Sequence, residues 1–522
     1  MSEKHKILWA DDEIEHLQSH IIFLRDKGYD ITSTTNADDA IALIKNQKFD
    51  LLLLDEMMPG KDGLTTLNEI KEISPNLPVI MITKSEEEKL MEDAIGGKID
   101  DYLTKPVNPS QILMACKKIL EGRKITGEQI SRNYTIQFSE ISRKLMEALT
   151  PKDWMDIHLK LTEWEIELDH RPDLGLEQML FDQRKECNVE FGKFVEKSYR
   201  AWIHGSLEAP LFSPEVVKTF ILPEILAGKN ILFVVIDCLR FDQWLTFETS
   251  LQDFYDITRE PYFAILPTAT PYSRNALFAG MYPSEIEKKY PDLWQKGNYD
   301  DYSRNRYESQ FMLDQLQRYH APLKSEPKYI KILDANEGMN VARKISSYFS
   351  SSFVSLVINF VDILTHSRSE VPVLKEIAPN ESAFRSLTRS WFEHSSLYQI
   401  LKSYSETDTT VFITTDHGSI RGMKGTKVIA DKEASTSLRY KYGTNLKVDL
   451  KHAIYVKNPA DFNLPSHGIA SNYIIAKEDY YFVYPTNYNH YLNYYKDSFQ
   501  HGGVSLEEMI VPLVKLRPRR TS

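Results

Sequence analysis

The stretch TTVFITTDHGS, Thr409 to Ser419, decides the fold expected for the C-terminal part of the chain. Its apolar centre, VFI, predicts a buried strand, and Asp416 and His417 follow where that strand ends. A carboxylate and an imidazole are costly to bury unless something pairs with them. The stretch therefore predicts an α/β domain with polar ligands at the end of a strand, and a metal ion is one candidate for what they hold.

Two further apolar runs in the same region lead into residues of the same kind. GKNILFVVIDCLRFDQW, residues 228–244, predicts a buried strand that ends in Asp237. VSLVINFVDILTHSR, residues 354–368, predicts a second strand that runs into Asp362 and His366, and His501 follows in FQHGGVSLEEM, residues 499–509. These runs predict one large α/β domain over residues 206–522.

The six residues together offer nitrogen and oxygen ligands that suit zinc. Taken singly, each has a structural explanation: Asp362 could cap a helix, and His501 could be an ordinary loop histidine. As a set, six ligands are too many for one tetrahedral site, but they fit two ions that each keep an open position. Two metal ions about 4 Å apart can clamp the attacking and the leaving oxygen of a phosphoryl displacement.

The stretch LPTATPYSRNALFAGMYP, residues 266–283, supplies a candidate nucleophile. Thr268 and Thr270 lie just before a predicted helix, whose N-terminus favours a bound phosphate. A threonine hydroxyl is a poor nucleophile at neutral pH, and metal coordination is one way to activate it. The alternative is that either threonine is only a helix N-cap.

Residues 1–120 predict a second kind of α/β domain, a parallel and doubly wound sheet. Short apolar strands (KILWA, DITST, FDLLLLD, PVIMIT and IDDYLTK) alternate with helical patterns. Ligands of such sheets bind at the carboxyl ends of the strands. The polar residues at these ends are Asp11, Asp12, Asp55, Thr83 and Lys105. They predict an acidic Mg²⁺ pocket in which Asp55 is the exposed nucleophile, Lys105 pairs with a phosphoryl group and Thr83 donates a hydrogen bond to it.

The motifs DDE, LLLLDEMMPGKDG, MITKSEE and YLTKP resemble those of two-component receiver domains. The resemblance implies that a sensor histidine kinase is the phosphodonor for Asp55 and that Asp12 and Asp55 bind Mg²⁺ with support from Asp11. It also implies that Tyr102 acts as an aromatic switch.

Residues 121–205 carry apolar residues at helical spacing with little Gly or Pro, which predicts a small helical bundle. Its histidines, His158, His170 and His204, are expected to be core or surface residues. No basic recognition helix is present for DNA reading. The bundle is interpreted as a connector, or as a surface that carries the phosphorylation signal.

The run TPYSRNALFAGMYP resembles the nucleophile motif of the alkaline phosphatase superfamily, and the other motifs are most similar to its PglZ-type branch. The resemblance implies that Thr270 is the nucleophile, and that Ser273 and Arg274 bind substrate. It implies one zinc at Asp362, His366 and His501 and another at Asp237, Asp416 and His417.

The complete order of receiver, helical middle and PglZ-type domain resembles the PorX-type family of response regulators, which is linked to type IX secretion. It implies a phosphodiesterase acting on nucleotide or oligonucleotide substrates. Because the chain has no DNA reader, a homodimer formed on phosphorylation is the expected output of the receiver.

The 522-residue composition is that of an ordinary soluble protein, with a net charge of −11 that argues against non-specific DNA coating. Three separated cysteines suggest no disulfide framework, so a reducing cytoplasm is expected. Neither a signal peptide nor an apolar stretch long enough for membrane insertion is recognised.

Two alternatives remain open. The metal domain could be a non-catalytic docking module for a transcription factor or a secretion component. The tyrosine-rich segment of residues 473–495 could serve strand packing or base stacking.

Overall fold

The computed structural model describes residues 4–84, 99–205, 208–295, 305–430, 437–466 and 470–519. The chain divides into two compact units, residues 1–135 and residues 136–522. Each unit is built around its own parallel or largely parallel sheet.

The first unit contains a five-stranded sheet whose strands all run parallel. The strands are β1 (Lys6–Ala10), β2 (Asp30–Thr34), β3 (Leu51–Asp55), β4 (Val79–Thr83) and β5 (Asp101–Thr104), in the order β2-β1-β3-β4-β5. The described helices are α1 (Gln18–Asp26), α2 (Ala37–Asn46), α3 (Gly63–Ile73) and α4 (Pro109–Leu120). The helical segment expected between β4 and β5 falls on residues 85–98, which lie outside the described residues.

Both faces of this sheet are covered by apolar side chains, as the continuous apolar runs predict for a parallel sheet. Leu52 and Leu54 of β3 belong to the core on one face, whereas Leu51 and Leu53 belong to the core on the other. Trp9 of β1 is fully buried within the second of these cores. The predicted doubly wound architecture is therefore confirmed.

The long helices of the chain's middle are α5 (Gly122–Lys144), α6 (Pro151–Asp169) and α7 (Glu177–Ile203). Thr150 caps α6 in a capping box with Asp153, and Pro151 occupies the first helical position. The helical prediction for this segment is confirmed. Helices α6 and α7 belong to the second compact unit, together with the C-terminal α/β domain.

The main sheet of the second unit has six strands. They are β6 (Ile231–Ile236), β7 (Tyr255–Arg259), β9 (Lys328–Ile332), β10 (Phe353–Ile358), β11 (Thr410–Thr414) and β20 (Leu513–Pro518), in the order β7-β20-β11-β6-β10-β9. Strands β11, β6, β10 and β9 pair in parallel, and β20 runs antiparallel to its two neighbours. The shorter strands are β8 (Tyr262–Phe263), β12 (Ile420–Gly422), β13 (Lys424–Lys427), β14 (Tyr440–Gly443), β15 (Ala453–Val456), β16 (Asn472–Ala476), β17 (Tyr480–Val483), β18 (Ser498–Gln500) and β19 (Ile510–Val511).

Helices cover both sides of this sheet and carry parts of the candidate site. They are α8 (Leu222–Leu226), α9 (Phe241–Glu248), α10 (Thr270–Ala279), α11 (Pro283–Lys289), α12 (Pro291–Gln295), α13 (Glu308–Arg318), α14 (Ala335–Arg343), α15 (Phe360–Glu370), α16 (Pro372–Ile377), α17 (Glu381–His394), α18 (Ser396–Tyr404), α19 (Tyr488–Tyr495) and α20 (Leu506–Met509). Among the described residues, none of the helices combines the length and apolar character needed to cross a bilayer.

The histidines of the helical middle are core or surface residues, as predicted. His158 is buried on α6, whereas His170 and His204 are exposed. Within the described residues, none of the three belongs to a group that could hold a metal ion.

Burial of His158 makes the second unit sensitive to acid. Burial, together with the nearby charge of Arg184, lowers the pKa of His158 to about 3. The unfolded chain binds a proton near the ordinary value of about 6.5, so the folded state loses stability as the pH falls below it. Between pH 7 and pH 5 this one group should lower the free energy of unfolding by about 2 kcal/mol.

We expect His158→Phe, which keeps an aromatic ring against Phe241, to remove that part of the pH dependence. Urea unfolding followed by tryptophan fluorescence at both pH values measures it. The exposed residue His170 provides the matched control, and His170→Phe should keep the wild-type slope. An unchanged slope in His158→Phe would show that the folded state accommodates the protonated ring.

Candidate metal centre and nucleophile

Two adjacent parallel strands bring the first group of predicted ligands to one edge of the sheet. Asp237 follows β6, and Asp416 and His417 follow β11, its neighbour in the sheet. All three side chains are buried, and each offers a ligand atom within 4.8 Å of the others.

The second group lies on a helix and a loop rather than directly at strand ends. Asp362 and His366 are four residues apart on one face of α15, which begins just after β10, and His501 follows β18. Their ligand atoms also lie within 4.8 Å of one another. The sequence predicted that the strand runs into Asp362 and His366. The strand instead ends at Ile358, and the helical spacing of the two residues gives them a common direction.

The two groups adjoin each other. The rings of His417 and His501 stack with their centroids 4.2 Å apart. The structure thus brings the six predicted ligands together in two neighbouring groups of three.

Backbone carbonyls fix the direction in which two of the imidazoles present their lone pairs. Nδ1 of His417 lies 3.0 Å from the carbonyl oxygen of Gly418, and Nδ1 of His501 lies 3.3 Å from that of Thr268. A carbonyl oxygen only accepts, so each Nδ1 carries the proton and donates it. Nε2 of both rings then carries a lone pair on the side of the carboxylates, which is the usual arrangement of a metal-binding histidine.

Unpaired carboxylate oxygens provide a test of whether a cation fits. Oδ2 of Asp416 and Oδ1 of Asp362 are buried and accept no hydrogen bond from the described residues. Nε2 of His366 and Nε2 of His501 face each other at 3.2 Å. Buried carboxylate oxygens that lack a hydrogen-bond donor need a cation beside them. The donor set therefore fits two divalent metal ions with nitrogen and oxygen ligands.

Burial dominates the pKa values of the first group and of His501. Burial raises the pKa of Asp237 well above its usual range, although Arg274 opposes the effect, and burial also raises the pKa of Asp416. Burial lowers the pKa of His417 and, with the neighbouring His417 ring, that of His501 well below its usual range. The adjacent carboxylate of Asp362 raises the pKa of His366. Neutral imidazoles at His417 and His501 are the form that binds a metal.

Thr270 lies beside the first group. It is the first residue of α10, and its Oγ1 is 3.0 Å from Nε2 of His417 and 3.4 Å from Oδ1 of Asp237. The N-cap of α10 is Ala269, and no side chain caps the helix. The alternative that Thr270 is an N-cap is therefore wrong.

Thr268 has a different environment. Its hydroxyl donates to the carbonyl oxygen of Gly503 at 2.8 Å and accepts from the amide of Gly502 at 3.1 Å. Thr268 therefore stabilises the loop that carries His501. It is not a helix cap either. These contacts distinguish Thr270 from Thr268 as the candidate nucleophile, which the sequence spacing alone did not do.

Ser273 and Arg274, for which the family resemblance implied substrate contacts, both bind protein groups. The hydroxyl of Ser273 is fully buried and donates to backbone carbonyl oxygens of Ile265 and Pro267 at 3.2 Å. Arg274 is also buried and holds Oδ2 of Asp237 through Nη1 at 2.6 Å.

Glu308 is a site residue that the sequence did not indicate. It is fully buried and binds Nε of Arg274 at 2.7 Å through Oε1. It lies on α13, far from any of the motifs, and no local pattern marks it. Glu308 fixes Arg274, which in turn fixes Asp237.

The receiver residues meet at the carboxyl edge of the first sheet, as predicted, but Asp55 is buried and the prediction that it is exposed is wrong. Ligand atoms of Asp11, Asp12 and Asp55 lie within 4.8 Å of one another. Nζ of Lys105 is 2.9 Å from Oδ1 of Asp55 and 3.1 Å from Oδ2 of Asp11. Burial raises the pKa of Asp55 to about 6, although Lys105 opposes the effect.

The remaining receiver residues differ in exposure. Thr83 is buried at the end of β4 and donates a hydrogen bond to Glu56, a partner that the sequence did not predict. Tyr102 is 39% exposed on β5.

The tyrosine-rich segment is divided between packing and exposure. Tyr473 and Tyr481 are fully buried in strands β16 and β17, in agreement with strand packing. Tyr491 and Tyr494 of α19 are exposed, so packing accounts for only part of the segment.

Three protein families match successive parts of the chain. Residues 216–516, more than half of the chain, match the BREX system PglZ alkaline phosphatase-like domain. The chain belongs to the PglZ alkaline phosphatase-like family. Residues 7–117 match the response regulator receiver domain, and residues 124–203 match the PorX response regulator linker domain. This order is that of a PorX-type regulator, as the sequence motifs predicted.

Curated relatives of this PglZ-family chain match it over about a quarter of its length. They include the transcriptional regulatory protein ZraR of Salmonella typhimurium, 30% identical over 26% of the chain and 31% of the relative. Another is the alginate biosynthesis transcriptional regulatory protein AlgB of Pseudomonas aeruginosa, 35% identical over 24% of the chain and 28% of the relative. The chain thus spans about a third of the length of these relatives.

Solved structures similar to the PglZ-family chain include a CheY-like receiver domain protein from Methanospirillum hungatei. It is 27% identical, with a TM-score of 0.23, and the match covers 24% of the chain and 99% of that protein. A two-component response regulator from Clostridium difficile is 30% identical, with a TM-score of 0.22, over 23% of the chain and 97% of that protein.

Proposed function

We propose that the C-terminal domain is a zinc-dependent phosphodiesterase that acts on nucleotide or oligonucleotide substrates. The observation that carries the proposal is the position of Thr270. Its hydroxyl starts a helix beside one group of three metal-type ligands, and the second group adjoins the first.

The chemistry of the donors favours zinc. Asp362, His366 and His501 would hold one ion, and Asp237, Asp416 and His417 would hold the other, because carboxylate plus imidazole suits Zn²⁺. When bound, the ions would supply Lewis acidity that lowers the pKa of the Thr270 hydroxyl and neutralises charge on the phosphate and on the leaving oxygen.

The protein's own residues position the reactants. Oγ1 of Thr270 would attack the phosphorus of the diester, forming an O–P bond while the bond to the leaving alcohol breaks. Water would then cleave the threonine–phosphate bond and release the phosphomonoester. The N-terminal end of α10 favours the negative charge of the phosphate. Arg274 and Glu308 keep the Asp237 carboxylate in place.

Metal content tests the first part of the proposal. The purified protein should contain about two zinc ions per chain, since each group offers three ligands and leaves a position open. Asp362→Asn and Asp416→Asn should each lower the content to about one, because they affect different groups. Elemental analysis measures this, and no transition metal even after zinc is supplied would contradict it.

Hydrolysis of bis(4-nitrophenyl) phosphate tests the second part. The zinc-loaded protein should release nitrophenol, and Asp416→Asn should abolish the release. A zinc-loaded wild type that binds two ions and hydrolyses no phosphodiester would instead favour the docking-module alternative.

The receiver is proposed to control this activity. Asp55 would accept a phosphoryl group from a sensor histidine kinase, with Mg²⁺ at Asp12 and Asp55 and support from Asp11, Thr83 and Lys105. Phosphorylation would favour a homodimer, with Tyr102 as the aromatic switch. We propose type IX secretion as the regulated process on the basis of the PorX-type domain order.

A further inference from the structure

Helix α7 is joined to the short helix α20 by buried polar contacts. Nη1 of Arg184 lies 2.9 Å from Oε1 of Glu507, and the amide of Asn188 donates to both carboxylate oxygens of Glu507, at 3.0 and 3.3 Å. The backbone amide of Leu506 donates to Oδ1 of Asn188 at 2.8 Å. Arg184, Asn188 and Glu507 are all buried. The side chain of Glu507 and the backbone amide of Leu506 therefore hold α20 against α7.

Helix α20 in turn lies directly against the loop that carries His417. The amide of Gly418 donates to the carbonyl oxygen of Glu508 at 3.1 Å. A Cβ atom at position 418 would lie 1.9 Å from the carbonyl oxygen of Glu507. Only glycine therefore allows the backbone at position 418 to lie this close to α20. A shift of α20 would therefore move Gly418.

Gly418 orients the imidazole of His417. Its carbonyl oxygen accepts from Nδ1 of His417 at 3.0 Å, and Nε2 of the same ring faces Oγ1 of Thr270, also at 3.0 Å. A chain of contacts thus leads from α7 to Thr270. It passes through Glu507 of α20, then Gly418, then His417.

A second chain of contacts leads from α20 to the other metal group. Oε1 of Glu508 accepts from the amide of Gly503 at 2.8 Å, and Gly503 accepts from the hydroxyl of Thr268. The carbonyl oxygen of Thr268 then accepts from Nδ1 of His501. Helix α20 therefore supports one histidine of each group.

We propose that Arg184 and Asn188 are positioning residues for the metal centre and that α7 sets the geometry of His417 and His501 through α20. Partners that orient a metal ligand change metal affinity and activity although they touch neither metal nor substrate. Because α7 contacts the centre through α20, a displacement of α7 against the α/β domain regulates turnover. The effect on turnover rests on the proposed phosphodiesterase function, whereas the effect on the metal geometry does not.

Asn188→Ala is the main test, since it removes the Asn188 hydrogen bonds to α20 while Glu507 stays paired with Arg184. Asp169→Asn is the matched control. It weakens another ion pair between the helical middle and the α/β domain, at 2.7 Å to Arg385, which keeps its contact with Asp242 at 2.9 Å. Arg184→Met and Arg184→Lys test the second residue, because lysine keeps the charge.

Three readouts on the full-length variants separate positioning from folding. They are the visible absorption spectrum of the cobalt-loaded protein, zinc affinity in competition with a chelator, and kcat and KM for bis(4-nitrophenyl) phosphate. For Asn188→Ala we expect an altered cobalt spectrum, about tenfold weaker zinc binding and about tenfold lower kcat at nearly unchanged KM. Arg184→Lys should retain more of each property than Arg184→Met.

The control decides the outcome. Asp169→Asn should keep the wild-type spectrum and kcat even where its melting temperature falls. If Asn188→Ala and Arg184→Met match Asp169→Asn in all three readouts, the positioning role is wrong. If the wild type hydrolyses no phosphodiester but the cobalt spectrum of Asn188→Ala changes, the proposed function fails and the positioning role stands.

Discussion

Thr270→Ala is expected to lower kcat for phosphodiester hydrolysis by about a thousandfold or more, because it removes the attacking oxygen. The zinc content should stay at the wild-type level, since the nitrogen and oxygen ligands of both groups remain. KM should change little, because the hydroxyl acts mainly in the chemical step. Initial rates with the zinc-loaded variant, together with elemental analysis of the same sample, measure both effects.

Thr270→Ser should retain part of the activity, since it keeps the hydroxyl and loses only a methyl group. Thr249→Ala, at the exposed end of α9, is a control for the loss of a threonine hydroxyl elsewhere. Thr268→Ala is unsuitable as a neutral control because its hydroxyl bridges Gly502 and Gly503 beside His501. If Thr268→Ala abolished hydrolysis at full zinc content while Thr270→Ala spared it, the assignment of the nucleophile would be wrong.

Asp55→Ala is expected to abolish phosphoryl uptake from a small-molecule donor such as acetyl phosphate. Asp55 is 2% exposed at the carboxyl end of β3, and Nζ of Lys105 is 2.9 Å from its Oδ1, positioned to pair with a phosphoryl group. Asp12, the exposed carboxylate of the same group, faces solvent and has no neighbouring lysine in an ion pair within the described residues. Electrophoresis that retards phosphorylated protein, or intact mass spectrometry, measures the uptake.

The exposed Asp30 of β2 provides the control, and Asp30→Ala should be phosphorylated as the wild type is. Beryllofluoride should convert the wild type to a dimer in sedimentation velocity, and it should leave Asp55→Ala unchanged. Unchanged sedimentation of the wild type with beryllofluoride would contradict control by dimerisation while leaving the phosphorylation of Asp55 intact.

The parts of the structure that the sequence predicted are those determined by local patterns. Continuous apolar runs predicted the buried parallel strands β3, β6 and β11, and each run placed an acid where its strand ends. Since parallel strands end at the same edge of a sheet, the pattern also predicted that Asp237 and Asp416 would meet. The group around Asp55 followed from the same reasoning, whereas Asp362 and His366 lie on α15, beyond the end of their strand.

The parts that could not be predicted depend on contacts between residues far apart in the chain. Glu308 is 34 positions from Arg274, and Glu507 is 323 positions from Arg184. Acidic residues of this kind are common on solvated helices, so their sequence gives no sign of burial. The distinction between Thr268 and Thr270 likewise required the loop of His501, which is more than 230 residues away.

The most direct measurement of the central claim is the rate of bis(4-nitrophenyl) phosphate hydrolysis as zinc is returned to chelator-treated protein. Because the six ligands form two groups of three, we expect the rate to rise from the buffer level and to saturate near two equivalents of zinc per chain. A rate that stays at the buffer level while the protein takes up two equivalents would contradict the account.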